Sequence, residues 1–218
     1  VSGLRTLGLG ALRLLFKAAG RAVPAVRRLD LFRFALRDAG WTESHRRQQA
    51  VDADGRPLPW ITYGAMHFLD GRVGPSMRVF EYGAGNSTKW WAARTPHVTS
   101  VEHDPDWVGQ LADLPDSVVL LERELGGGYA EAIQGSGPFE VVVIDGRQRV
   151  DCTRASIEEM TEDGVIVFDN SDRPDYQEAY DFLASEGFRR LDFYGLGPIN
   201  SYFWATSVFY RATNCLGL

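Results

Sequence analysis

The chain is poor in cysteine and lysine and has no long apolar run. Only two of 218 residues are cysteine, Cys152 and Cys215. That is too few for a disulfide framework, and nothing near them has zinc-ligand spacing, so both are expected reduced. No uncharged apolar stretch reaches the roughly 18 residues that a membrane span needs. Lysine is limited to Lys17 and Lys89 among 23 basic residues, and no function follows from that. An apolar fraction of 44% and a charged fraction of 24% exclude disordered, collagenous and low-complexity classes. What remains is a globular chain, long enough for one domain with a core and an extension.

Charge is unevenly spread. Residues 1–40 carry eight basic and two acidic side chains, a net +6, while the rest carry fifteen basic and 27 acidic ones, a net −12. An acidic body argues against a nucleic-acid-binding face, because phosphate neutralisation needs clustered Lys and Arg. Within residues 4–29, Arg13, Lys17 and Arg21 share one helix face, with Leu12, Leu15, Phe16, Ala19 and Val23 on the other. This predicts an amphipathic helix with three readings: packing on the body or on a second subunit, peripheral contact with an anionic membrane, or a loosely ordered arm. A secretory signal is not expected, since the apolar stretch between Arg5 and Arg13 is short and holds Gly8 and Gly10. A cytoplasmic location is the expectation.

A second helical stretch is predicted over about 29–50, then a polar loop at 52–57, then Trp60, Tyr63 and a helix through Leu69. Residues 1–74 therefore read as a helical extension and 75–218 as the main domain. From residue 77, short apolar runs alternate with segments long enough for crossover helices. The runs are Met77–Tyr82, Val98–Glu102, Val118–Leu121, Phe139–Asp145, Val165–Asp169, Arg189–Phe193 and Tyr202–Tyr210. Such alternation predicts βαβ units and a parallel sheet. Pro174 opens a helix whose apolar stripe is Tyr176, Ala179, Tyr180 and Leu183, and Gly187 ends it. The last two runs are joined only by a Gly195-Leu196-Gly197-Pro198 turn and predict an antiparallel hairpin. The fold class is α/β, a three-layer sandwich around a mostly parallel seven-stranded sheet.

Two motifs stand at strand ends. After Val79–Tyr82 comes Gly83-Ala84-Gly85-Asn86-Ser87-Thr88, where the glycines let the backbone turn and approach a ligand. Asn86, Ser87 or Thr88 then caps a helix whose N-terminus faces an anion. Thr88 stands where a dinucleotide fingerprint has its third glycine, and no Gly-Lys-Ser/Thr follows for a phosphate loop, which disfavours a nicotinamide dehydrogenase. A carboxylate suits this turn better than a pyrophosphate. Glu102 ends the second strand, where a carboxylate accepts hydrogen bonds from both ribose hydroxyls of a nucleoside.

These features, with Asp145 ending the fourth strand, resemble the Rossmann-like class I S-adenosylmethionine-dependent methyltransferases over residues 77–211. The motif layout is most similar to that of small-molecule O-methyltransferases. The resemblance implies that Gly83 and Gly85 lie against the methionine part of the cofactor, with Glu81, Asn86, Ser87 and Thr88 nearby. It implies Glu102 on the ribose with His103 beside it, Glu122 near the adenine, Asp145 at the reactive centre, and Trp60 and Tyr63 folded over the cofactor. Asp145, Asp169 and Asn170 resemble the Mg²⁺ ligands of catechol and caffeoyl-coenzyme A O-methyltransferases, where the metal lowers the acceptor's pKa. The same residues also read as turn and cap residues. The lysine those enzymes place after the first aspartate is absent here, and the stretch is Arg147-Gln148-Arg149. Asp145 and Arg147 are thus the candidates for the chemistry. Arg149 is expected to pair with a carboxylate, and Arg147 to serve the site.

The expected partner is a small-molecule acceptor with an oxygen nucleophile. Two other readings share the scaffold: aminopropyl transfer from decarboxylated S-adenosylmethionine, and a non-catalytic binding or assembly protein.

Overall fold

The computed structural model describes residues 30, 36–111 and 113–218. The basic amphipathic segment predicted within residues 4–29 lies outside them. A helical turn α1 (Leu36–Asp38) and helices α2 (Trp41–Arg47) and α3 (Tyr63–Leu69) precede the sheet. Strands β1 (Val79–Tyr82), β2 (Val98–Glu102), β3 (Val118–Glu122), β4 (Phe139–Ile144), β5 (Met160–Asp169), β6 (Arg189–Gly195) and β7 (Trp204–Tyr210) follow, with helices α4 (Asn86–Ala92), α5 (Pro105–Val108), α6 (Arg149–Ser156) and α7 (Gln177–Ser185) between them. The strands form one sheet in the order β3-β2-β1-β4-β5-β7-β6. The first five are parallel, and β7 runs antiparallel to both β5 and β6.

The sheet is covered on both faces because the central strands are apolar on both. Phe80, Tyr82, Val142, Ile144, Ile166 and Phe168 belong to one buried cluster, which includes Ala179 and Leu183 of α7. Val79, Val141, Val143, Val165 and Val167 belong to the other, with Trp90 and Trp91 of α4 and Ala65 and Leu69 of α3. Alternate residues of one strand thus enter opposite layers. Burial of this kind stabilises by roughly 25 cal/mol per Å² of apolar surface.

Three expectations are corrected. The stretch predicted as one helix over 29–50 is broken by a turn at 39–40 between α1 and α2. Two of the crossovers are also shorter than predicted. Only the one-turn α5 lies between β2 and β3, and a 3₁₀ turn (Ala130–Ile133) between β3 and β4. Gly126-Gly127-Gly128 precedes that turn, and consecutive glycines are costly in a helix.

The described part of the extension is bonded to the hairpin. Thr62 N–H donates to Thr206 Oγ1 (3.0 Å), Thr62 Oγ1 to the Phe193 carbonyl (3.0 Å) and Tyr63 N–H to the Leu196 carbonyl (2.8 Å). No helix among the described residues is long and apolar enough to cross a membrane. Both cysteines are free thiols, and Cys152 is buried.

Candidate active site

A cavity of about 740 Å³ opens beyond the carboxyl ends of β1, β2, β4 and β5. Its floor is the turn after β1. Gly83 has φ +94°, a conformation that glycine adopts at low cost, and a Cβ there would come within 3.0 Å of the Gly146 Cα. Gly85 is extended, and a Cβ on it would meet only Ser87 Oγ, at 3.9 Å. The turn is tied from outside by Trp107, whose indole N–H donates to the Ala84 carbonyl at 2.8 Å.

Beneath the turn lies Glu81. Its position in β1 points it into the α4 layer, and its register partner Ser100 of β2 points the same way. Glu81 Oε2 accepts from Thr88 Oγ1 (2.5 Å) and Ser100 Oγ (2.8 Å), and Oε1 from Trp91 Nε1 (3.2 Å). Burial raises the Glu81 pKa, and these hydrogen bonds oppose the rise. Thr88 Oγ1 also accepts from Gly85 N–H at 2.9 Å, so one hydroxyl couples the turn to the buried acid.

On the β2 side of the cavity stands Glu102, 6% exposed. Its Oε1 accepts from the backbone N–H groups of His103 (2.7 Å) and Asp104 (3.0 Å), and His103 Nδ1 lies 2.6 Å away. Oε2 accepts from Ala84 N–H at 3.2 Å. Asp104 then caps α5, taking the Asp106 and Trp107 N–H groups on Oδ1 (3.0 and 3.2 Å).

At the ends of β4 and β5 the buried Arg149 joins the Asp145 carboxylate to two backbone carbonyls. Its guanidinium donates to Asp145 Oδ1 (3.1 Å), to the Gly146 carbonyl (3.0 Å) and to the Asp169 carbonyl. Asp169 Oδ1 accepts from Trp204 Nε1 (2.9 Å) and from Thr206 Oγ1 (2.5 Å), its register partner on β7. Burial pushes Asp169 up to about 6, against the pull of those two bonds. Asp145 rises well above the usual carboxylate range through burial and then the Asp169 charge.

This donor set does not fit a divalent metal. One Asp169 oxygen is already taken by two donors, and a buried guanidinium supplies the positive charge that the strand ends require. A second cation beside it would pay both desolvation and repulsion. Among the described residues, no three or more His, Cys, Asp or Glu side chains are arranged to hold a metal ion.

Of the residues singled out from sequence, Trp60, Gly83, Gly85, Asn86, Ser87, Glu102, His103, Asp145, Arg147, Asp169 and Asn170 all line the cavity. Four do not line it. Glu81 and Thr88 face each other beneath the turn. Tyr63 opens α3, which packs on β6 through Phe68 and Phe193 (ring centroids 5.0 Å apart). Glu122 ends the edge strand and faces solvent. Nor does Asn86 cap α4; its side-chain amide donates to the Ala50 carbonyl at 2.9 Å, tying the 48–50 loop across the turn.

The β6–β7 connection supplies the remaining wall. Ile199 and Asn200 border the cavity in the β6–β7 connection, and Ile199 has φ +68°, strained for a β-branched residue. Trp41 Nε1 donates to the Asn200 carbonyl (2.6 Å) and His45 Nδ1 to the Ile199 carbonyl (3.0 Å), with the two rings stacked 5.0 Å apart. His45 is thus an exposed residue that braces this loop.

This is the fold of the class I S-adenosylmethionine-dependent methyltransferases. Precorrin-6y C5,15-methyltransferase from Geobacter metallireducens superposes with a TM-score of 0.58 at 16% identity, over 77% of this chain and 96% of its own. The O-methyltransferase TomG from Streptomyces achromogenes, solved in complex with S-adenosylmethionine, gives 0.57 at 18% identity, over 82% and 89%. An O-methyltransferase-like protein from Klebsiella pneumoniae gives 0.55 at 17%, over 81% and 89%. No protein-family model matches the chain, and no curated protein matches it.

Proposed function

We propose that this protein transfers a methyl group from S-adenosylmethionine to an oxygen nucleophile of a small-molecule acceptor. Glu102 carries the reading. Its Oε1 is occupied by backbone donors, whereas Oε2 receives the Ala84 N–H and keeps lone-pair capacity at the cavity wall. That is what a ribose diol requires, and the turn at Gly83–Gly85 next to it leaves room for a ligand at backbone distance. The solved relatives of this fold support the same ligand.

In this reading Gly83, Gly85, Asn86 and Ser87 border the methionine part, and Glu102, His103 and Trp107 the nucleoside part. Bound there, the cofactor supplies an electrophilic methyl on a positively charged sulfonium. Asp145 is the group placed to take the acceptor's hydroxyl proton. Burial and the neighbouring Asp169 charge raise its proton affinity, and Arg149 fixes its orientation. Trp60, Tyr202 and Trp204 offer apolar walls to the acceptor. The rate comes largely from holding acceptor oxygen and methyl in line. No step is assigned to Mg²⁺.

Titration calorimetry with S-adenosylhomocysteine tests this, with NAD as control ligand and with Mg²⁺ added or chelated. Binding of S-adenosylhomocysteine but not NAD, lost in Glu102→Ala and indifferent to Mg²⁺, is the expected result. Absence of S-adenosylhomocysteine binding overturns the proposal. A preference for decarboxylated S-adenosylmethionine would move it to aminopropyl transfer.

A further inference from the structure

The cavity has two electrostatic halves. At the β2 end it is lined by Glu102, Asp104 and Asp113, and at the β4–β5 end by Arg147, Arg149 and Arg173 together with Asp145 and Asp169. Of these three arginines only Arg149 is committed, to Asp145 and two backbone carbonyls. Arg147 and Arg173 make no side-chain hydrogen bond or ion pair among the described residues. That is unusual in this chain. Apart from Arg189, the other described arginines spend their guanidinium groups on a carboxylate, a carbonyl or a hydroxyl. Those at 46, 47, 56, 94, 154 and 190 do so on acids, and those at 72, 78, 123 and 211 on backbone oxygens.

Two acids of the β5 end and the loop after it each spend one oxygen elsewhere. Asp169 Oδ1 holds Trp204 and Thr206, and Asp172 Oδ1 accepts from Ala205 N–H at 3.0 Å. These two forked, exposed donors follow neighbouring strands and line one cavity in a protein of net charge −6. They suit a planar or tetrahedral oxyanion, which guanidinium groups bind through paired N–H donors.

We propose that Arg147 and Arg173 clamp an anionic group, a carboxylate or a phosphate, carried by the methyl acceptor. The acceptor class is then an anionic small molecule with a hydroxyl, its charge at the β4–β5 end and its reacting oxygen beside Asp145. This rests on the methyl-transfer reading for the identity of the anion's carrier, but the anion site is testable by itself.

The test uses the full chain and three probes: inorganic phosphate, 4-hydroxybenzoate, and uncharged 4-hydroxybenzyl alcohol. Their binding is followed by ligand-observed NMR, alongside S-adenosylhomocysteine binding by calorimetry. One or both anions are expected to bind at least tenfold more tightly than the alcohol. That preference should vanish in Arg147→Gln/Arg173→Gln and partly survive in the double Lys variant, which keeps charge without the fork. Preference for phosphate over 4-hydroxybenzoate, or the reverse, assigns the anion. Equal binding of anions and alcohol, or anion binding unchanged in the Gln variant, overturns the proposal. Arg-dependent anion binding without S-adenosylhomocysteine binding would sustain the clamp while removing the methyl-transfer reading. Both arginines are exposed, and circular dichroism of each variant verifies its fold.

Discussion

Arg149 holds Asp145 through an Nη2–Oδ1 hydrogen bond of 3.1 Å inside the protein, where the arginine is only 7% exposed. The bond joins the first residue of α6 to the residue that follows β4, and the same guanidinium reaches the end of β5. One cation therefore organises both strand ends at this side of the cavity.

Removing that cation should be expensive. Arg149→Met leaves the half-buried Asp145 without its partner and the buried Asp169 without a nearby positive charge, and breaking a buried pair costs at most about 3–5 kcal/mol. Urea unfolding measures the loss. Divalent metal should leave the wild-type transition unmoved, while Arg149→Ala, with the cation gone, should gain stability from millimolar Mg²⁺. A wild-type protein stabilised by Mg²⁺ would contradict the account of these strand ends.

Thr88→Val should weaken the glycine turn from within. The substitution keeps the shape but removes the donor to the buried Glu81 and the acceptor for Gly85 N–H. Hydrogen bonds to charged groups contribute about 1.5–3 kcal/mol, and a loss in that range is expected on denaturation. Affinity for S-adenosylhomocysteine should fall as well, although Thr88 itself lies outside the cavity.

Gly146→Ala is predicted to damage the floor. The new methyl would collide with the Tyr129 hydroxyl and stand 3.1 Å from Gly83 N. Overpacking of this kind costs about 1–3 kcal/mol. Tyr129→Phe in the same chain should restore part of it, which a double-mutant cycle on thermal unfolding measures. Strict additivity would show that the two residues do not meet.

The carboxylate pair sets a pH dependence. Asp169 has its folded pKa raised from 3.8 to about 6, mainly by burial, so the folded state keeps a proton that the unfolded chain releases. Stability from this group is therefore full below about pH 4, falls as pH rises toward 6, and is level above. Asp145 is raised too, and the two titrate as a pair. Asp169→Asn removes the titration while still offering an oxygen to Trp204 and Thr206. Relative to wild type, the variant should gain in melting temperature between pH 4 and pH 7; a pH-independent difference would refute the assignment.

The sheet was readable because strands covered on both faces leave uninterrupted apolar runs, as in Val141–Ile144. Its motifs were readable because function in such sheets gathers at strand ends. Glu81 shows where that reasoning stopped. Its neighbours Phe80 and Tyr82 enter one layer, so alternation sends Glu81 into the other, and this parity was available in the sequence. Asp104-Pro105 was likewise a legible helix start. Tyr129 against Gly146, Asn86 on Ala50 and Trp41 on Asn200 are contacts between distant segments, for which local patterns carry no signal.

The strained Ile199 has a consequence for redesign. The loop that walls this side of the cavity is shaped by two rings on α2, more than 150 residues away in sequence. Grafting a foreign 198–204 loop to change selectivity would discard the carbonyl positions that Trp41 and His45 hold, unless residues 41–45 travel with it. The interchangeable unit for engineering this pocket is thus a pair of segments, and a library should vary them together.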